Sequence, residues 1–395
     1  MRILHVSDVY FPRINGVSTS IQTFRRELAR LGHESTLVAP AYPAPHGDDA
    51  RTVRVPSRSV PLDPEDRAMH WRLLSRLDRQ LADERFDLVH VQTPFLAHYA
   101  GSRLARRRGI PVVATYHTLF EEYLFHYVPL VPRGVMRALA RRLSRGQCDA
   151  LDAVIVPSTA MRETLERYGV RTPIEIVPTG IPLAEVSGGD GMRFRATRGV
   201  APSRPVLLYV GRVAFEKNIG FLLRALVLVR REVPDALLVV CGEGPALARL
   251  TRLARALGLA EAVRFVGYLD RTTHLLDCYR AADAFVFASR TETQGLVLLE
   301  AMALGVPVVS TAVMGTRDIV GPERGALVAA DDEADFAAKV VRLLRDRELR
   351  ARLSAEGREY AHSWSATALA LRMEAFYRSV LDRAAEPRFT RPKPA

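Results

Sequence analysis

The chain has 395 residues, 48% hydrophobic and 25% charged. Against a usual domain of about 100–200 residues this predicts two globular domains and excludes both a single small binding module and a fibrous or disordered chain. Fifty-six basic residues against 44 acidic ones leave a formal charge of +12, which favours an acidic partner: nucleic acid, an anionic lipid surface or a phosphorylated small molecule. The cysteines, Cys148, Cys241 and Cys278, are too scattered for a disulfide framework or a zinc cluster, and MRILHVSDVYF carries no leader pattern. No apolar run approaches the roughly 20 residues of a spanning helix. A reduced, cytoplasmic setting is the expectation.

In chain order, Ile3, Leu4 and Val6 form an apolar run and SDVYFPRINGV a turn-rich loop, which predicts a strand and then a loop. Ile21, Phe24, Leu28 and Leu31 then recur at helical spacing, with Thr19 or Ser20 as the cap and Gly32 as the stop before a strand over 36–39. That is a βαβ unit. Apolar runs at 86–91, 110–115, 154–156 and 174–177, separated by helical patterns, extend it into a parallel sheet covered on both faces. Residues 187–204, rich in Gly, Arg and Pro, read as a linker. The alternation then restarts, with strands at 206–210, 237–241, 263–266, 285–288 and 306–310 and helices near 218–232, 246–257, 272–281, 296–304 and 332–345. The predicted fold class is therefore α/β, with two Rossmann-like parallel-sheet domains over 1–186 and 205–364 and a ligand cleft between the carboxyl ends of their strands. Residues 365–383 read as a terminal helix packing back toward the N-terminal domain, and 384–395 as a flexible basic tail.

The most specific segment is SRTETQGLVLLEAMALGVPVV, residues 289–309, in which Glu292 and Glu300 stand eight positions apart across a glycine-containing loop that enters a helix. With the helix beginning near Leu296, Glu300 falls in its first turn, and the amides of Gln294, Gly295 and Leu296 point at a positive terminus suited to an anion. Glu292 is then placed to accept hydrogen bonds from sugar hydroxyls and Glu300 from a ribose. Taken alone, the segment equally fits a dipole-complementing Glu300 and a solvated Glu292. It is joined by VGRVAFEKN, where Arg212 and Lys217 follow a strand of the same domain and together suit a diphosphate. CGEGP, with Gly242, Glu243 and Gly244, is half of a dinucleotide fingerprint; with no third glycine, a nicotinamide-dependent dehydrogenase is disfavoured. In the first domain, Gly16 ends the first loop just before a helix, where its amide can meet a phosphate, and His117 follows the strand 110–115. A lone histidine is more often structural, but the aromatic run behind it, Phe120, Tyr123, Phe125 and Tyr127, balances the functional reading. No D-x-D, Walker, H-E-x-x-H or G-x-S-x-G motif is present, so metal-chelated diphosphate, Walker-type ATP use and serine hydrolysis lose their signatures.

Together these segments resemble the retaining glycosyltransferases of family 4, which have the two-domain GT-B fold; the resemblance spans essentially the whole chain and is most specific at Glu292 to Glu300. It implies that Arg212 and Lys217 hold the diphosphate, Glu300 the ribose, Glu292 with the backbone of Thr293, Gln294, Gly295 and Leu296 the sugar hydroxyls and distal phosphate, and Gly16 a phosphate from the other domain. Tyr268 would lie near the base. The resemblance further implies transfer with retention, no cofactor and no metal, and His117 beside the transferred sugar. TYHTLFEEYLFHYVP and the TETQG loop are similar to bacterial enzymes that glycosylate diacylglycerol. A UDP-sugar donor (glucose, galactose or glucuronic acid) and a lipid acceptor are thus expected, with a GDP-mannose-dependent mannosyltransferase acting on a phosphoinositide or glycan as the runner-up.

Charge supports a lipid surface independently. Residues 98–148 carry nine arginines and two acids, and on a helix from about Arg133 the side chains of Arg137, Arg141 and Arg145 form one stripe, with Val135, Met136, Leu139 and Leu143 largely to another side. Membrane contact is expected there and at Phe120, Tyr123 and Phe125, giving peripheral association with the inner face of the cell membrane; a solvated helix packed on its own domain is the alternative. A nucleic-acid partner is not expected, because no aromatic residues interleave a basic stripe in a recognisable binding module.

Overall fold

The computed structural model describes residues 1–43, 47–60, 63–74, 76–117 and 133–386. The chain divides into two compact units, Met1–Gly180 with Ala366–Ala395, and Ile181–Ser365.

The first unit is built on seven parallel strands, β1 (Arg2–Val6), β2 (Glu34–Pro40), β3 (Thr52–Val55), β6 (Leu88–Val91), β7 (Val112–Thr115), β8 (Ala153–Val156) and β9 (Ile174–Ile176); β4 (Ser57–Val60) and β5 (Asp63–Met69) form a separate antiparallel pair. The order is β3-β2-β1-β6-β7-β8-β9. Strands β6 and β8 are buried along their length and apolar but for His90, as strands covered on both faces tend to be. Helix Gly16–Arg30 begins earlier than the apolar period suggests: Asn15, not Thr19 or Ser20, is its cap, and the Asn15 side-chain Oδ1 accepts from the Ser18 amide at 2.8 Å. The terminal helix Ala366–Ala385 belongs to this unit. The hydroxyl of its buried Tyr377 lies 2.6 Å from His90 Nδ1 on β6, Thr367 donates to Glu27 at 2.9 Å, and Glu374 sits 3.1 Å from His33.

The second unit carries six parallel strands, β10 (Val206–Val210), β11 (Leu237–Cys241), β12 (Val263–Gly267), β13 (Ala284–Phe287), β14 (Val308–Ser310) and β15 (Ala326–Val328), in the order β12-β11-β10-β13-β14-β15. Residues 187–204, read from the sequence as a linker, hold the helix Gly191–Thr197 within this unit. Its breaker-rich approach hides a cap, since Asp190 accepts from the amides of Met192 and Arg193, and Arg193 pairs with buried Asp277 at 2.7 Å. The helix Arg347–His362 and strand β15 were also not anticipated.

In both sheets the strand order reverses beside the first strand, between β1 and β6 and between β10 and β13. At such points the connecting loops diverge and leave room above the strand ends for a ligand. Close backbone approach defines this end of the second sheet: Gly242, at φ +133°, follows β11 so tightly that an added Cβ would lie 2.0 Å from the Gly211 carbonyl oxygen. Gly242→Ala is therefore expected to lower the melting temperature of this unit by roughly 6–12 °C; calorimetry that finds it within about 2 °C of wild type would show that the loop reshapes without cost.

Candidate functional site

The loops after β10 and β13 meet. After β10 the chain makes a single 3-10 turn, Phe215–Lys217, and Lys217 Nζ reaches Glu292 Oε2, on the loop after β13, at 2.7 Å. Asn218 also donates to the Ala288 carbonyl at 3.2 Å. Arg212, on the same β10 loop, is 60% exposed, and its nearest acid, Glu216, stands 4.0 Å away. One exposed guanidinium and one ion-paired ammonium thus sit on a loop facing the segment 289–296.

That segment is shaped from beneath. Gly295, at φ +96°, turns the chain into helix Leu296–Ala303, whose start is where the sequence placed it. The Gly315 amide donates to the Glu292 carbonyl at 2.9 Å, and an added Cβ at Gly315 would strike the Thr293 carbonyl oxygen, so a neighbouring loop fixes the backbone of Glu292 and Thr293. The Gln294 side chain is buried.

Glu300 differs from expectation in its surroundings. It is the fifth residue of that helix, only 4% exposed, and already engaged: Tyr279 donates to Oε2 at 2.9 Å and Arg271 pairs with Oε1. Burial and the Glu300 charge push the Tyr279 hydroxyl pKa well above its usual value, so it stays a donor. A ribose that takes Glu300 as its acceptor must share it with, or displace, the half-exposed Arg271. Tyr279 belongs to a row of rings, Tyr279–Phe285–Phe287–Tyr209, with centroids 5.8, 6.2 and 5.8 Å apart. Its far member, Tyr209, donates to the Arg212 carbonyl at 3.1 Å. One aromatic core therefore positions both the cationic loop and the acidic helix. Exposed Glu243 accepts from the Tyr268 amide at 3.4 Å, which brings CGEGP and the expected base contact together; Tyr268 itself is exposed. Arg271 and Tyr279 were missed because nothing in DRTTHLLDCYR marks them apart from an ordinary helical pattern.

On the first unit, Gly16 is the first residue of its helix, and an added Cβ there would meet nothing within 4 Å. His117 follows β7, where its Nε2 lies 3.1 Å from Gln92 Oε1. Burial lowers its pKa to about 4, so the ring is neutral at neutral pH. Gln92 was overlooked, although the rule that found His117, a polar residue directly after an apolar run, applies to Gln92 after 86–91.

The helix expected from Arg133 is Arg133–Cys148. It splits the expected apolar side in two: Met136 is buried with Ala140, Ser144 and Cys148, whereas Val135, Leu139 and Leu143 are 59%, 46% and 37% exposed. The expected arginine stripe is partly turned to its own unit. Arg141 lies over the Tyr168 ring at 5.7 Å and Arg145 is 3.4 Å from Asp149. The Arg137 side chain and residues Phe120, Tyr123 and Phe125 lie outside the described residues. Among the described residues no group of three His, Cys, Asp or Glu is placed to hold a metal ion.

Residues 193–360 match the family model described as glycosyl transferases group 1, and residues 14–185 that described as Glycosyltransferase Family 4. The chain is 33% identical to the alpha-monoglucosyldiacylglycerol synthase of Streptococcus pneumoniae, over 84% of this chain and 79% of the relative. It is 30% identical to the GDP-mannose-dependent alpha-mannosyltransferase of Mycobacterium tuberculosis, over 91% and 93%. Among solved structures, sucrose-phosphate synthase from Thermosynechococcus elongatus aligns with a TM-score of 0.80 at 23% identity, covering 97% of this chain and 100% of that one, a likeness of fold and in agreement with GT-B.

The buried histidines of the first unit make its stability depend on pH. Burial lowers His5 to about 3 and His98 and His117 to about 4, against an ordinary 6.5. With folded pKa values below unfolded ones, the unfolded chain binds the extra protons, so stability is lost as pH falls through 6.5 toward 4. Asp8, raised by burial to about 6, opposes this over part of the range, because its protonated form is the one the fold prefers. His90, which burial lowers well below 6.5, adds a fourth histidine, and four groups against one predict that the melting temperature of this unit drops on the order of 10 °C between pH 7 and 4.5. A flat or rising profile in calorimetry would contradict the burial of these rings as neutral species.

Proposed function

We propose that this chain, which belongs to glycosyltransferase family 4, transfers a hexose (glucose, galactose or glucuronic acid) from a UDP-sugar to a membrane lipid, diacylglycerol first, with retention of configuration and without a metal ion. Arg212 and Lys217 take the charge of the diphosphate, a task two cations on one loop perform through charge-assisted hydrogen bonds. Lys217 then exchanges its bond to Glu292 for one to phosphate, which frees the Glu292 carboxylate to accept from sugar hydroxyls. The bond from the anomeric carbon to the diphosphate oxygen breaks, the acceptor oxygen adds to that carbon from the same face, and the acceptor's proton passes to the departing diphosphate. No protein nucleophile is needed. His117, neutral at neutral pH, acts as a hydrogen-bonding group rather than a cation.

The lipid acceptor rests chiefly on the helix Arg133–Cys148. Val135, Leu139 and Leu143 recur every fourth residue on its outer side, with Arg142 beside them, in a segment whose arginines far outnumber its acids. An apolar stripe bordered by cations suits an anionic bilayer surface. No described helix is long and apolar enough to cross a membrane, so association would be peripheral. The Streptococcus pneumoniae relative, by its name a glycolipid synthase, supports the same acceptor. The mannosyltransferase relative supports the second reading, a GDP-mannose donor.

Incubation with mixed sugar nucleotides and lipid extract, with products identified by mass spectrometry and anomeric configuration by NMR, is expected to give an α-glycosyl diacylglycerol from a UDP-sugar. Consumption of GDP-mannose alone would replace the first reading with the second. Leu139→Asn with Leu143→Asn is expected to weaken sedimentation with anionic vesicles about tenfold to a hundredfold, from roughly 1 kcal/mol of partial burial at each site. Unchanged sedimentation would leave the helix an ordinary solvated one.

A further inference from the structure

We propose that Gln92 is a positioning residue that holds His117 as the neutral tautomer protonated on Nε2, leaving Nδ1 as the acceptor nitrogen. This rests on the reading of His117 as a group of the transfer reaction.

Gln92 directly follows β6, and its amide donates to the Val6 carbonyl at 2.9 Å, so its backbone is tied to β1 across the point where the strand order reverses. Its side chain is buried and spans two imidazoles. The side-chain nitrogen lies 3.1 Å from His5 Nδ1 and the oxygen 3.1 Å from His117 Nε2. A carboxamide presents donors at one end and acceptors at the other, so its orientation decides both tautomers at once. With the oxygen toward His117, Nε2 must carry the proton there; with the nitrogen toward His5, Nδ1 of that ring must be bare. The ring of His5 in turn packs against His90 at 5.3 Å between centroids, and His90 is held between Thr115 Oγ1 at 2.7 Å and Tyr377 at 2.6 Å. The His5 ring is thereby held in place through β6, β7 and the terminal helix, which keeps the amide between the two ring nitrogens. A neutral histidine in water exchanges between tautomers; here one hydrogen bond from a rigid strand end selects one of them.

The tautomer can be read without substrate, by long-range proton–nitrogen correlation on the whole chain labelled with ¹⁵N-histidine, His117 being assigned with His117→Asn. At pH 7 the wild type is expected to show a protonated Nε2 and a bare Nδ1 at His117. Gln92→Leu is expected to give a mixture of tautomers and, in the glycosyl-transfer assay, to lower kcat roughly tenfold with the donor KM within about twofold. Gln92→Glu, which keeps the acceptor oxygen, is expected to restore the Nε2–H signal. A wild-type His117 protonated on Nδ1, or tautomer populations unchanged in Gln92→Leu, overturns the proposal, and the first of these needs no variant to fold. A wild type with the expected tautomer whose His117→Asn variant keeps full kcat would support the positioning by Gln92 while removing His117 from the reaction.

Discussion

The adjacency of β10 and β13 is the constraint on which the rest of the second unit depends. These strands are far apart in sequence yet hydrogen-bonded in the sheet, with Leu207 opposite Ala284 and Leu208 opposite Phe285. Because the pair is parallel, both strands end on the same side, and the chain leaving β10 runs toward β11 while that leaving β13 runs toward β14. A lysine on the first loop and a glutamate on the second are thereby brought to 2.7 Å from across 75 positions of sequence. The hydrophobic packing of Tyr209, Phe285, Phe287 and Tyr279 holds this geometry, and the hydroxyls at its two ends fasten the Arg212 carbonyl and the Glu300 carboxylate. Apolar burial and polar site are thus one construction: removing a ring would loosen both.

The same logic governs the first unit at β1 and β6, with a different polar content. There the strand ends carry Asp8 and Thr93, which exchange hydrogen bonds at 2.7 Å, and the run His5, Gln92, His117. Asp8 also receives the Ala97 amide at the start of helix Leu96–Arg108, at 3.1 Å. Burying so many polar groups is tolerable only because nearly all are paired, the His5 Nε2 atom being an exception. The consequence is a rigid polar patch of neutral rings rather than a cluster of charges.

Much of this was legible in the sequence. Period and run length located most strands of both sheets to within two or three residues, since buried parallel strands are apolar along their whole length. The segment 289–309 placed the helix start at Leu296. What escaped is physically distinct. The helix Gly191–Thr197 is hidden because its glycines read as breakers while Asp190 caps it. Glu300 was expected to await a ligand, but its partners Arg271 and Tyr279 come from another helix and loop, and no local pattern records such a tertiary contact. On Arg133–Cys148, heptad-like spacing could not say which apolar residues face inward; Met136 does, and Leu139 does not.

The central claim is that the loops after β10 and β13 seat a nucleoside diphosphate through Arg212 and Lys217. Isothermal titration of UDP into the wild type, Arg212→Ala and Lys217→Ala tests it most directly, because neither side chain belongs to the core and both variants should melt within a few degrees of wild type. A charge-assisted bond to phosphate contributes about 1.5–3 kcal/mol, so each variant is expected to bind UDP at least about tenfold more weakly. UDP affinity unchanged in both variants would mean that the diphosphate lies elsewhere.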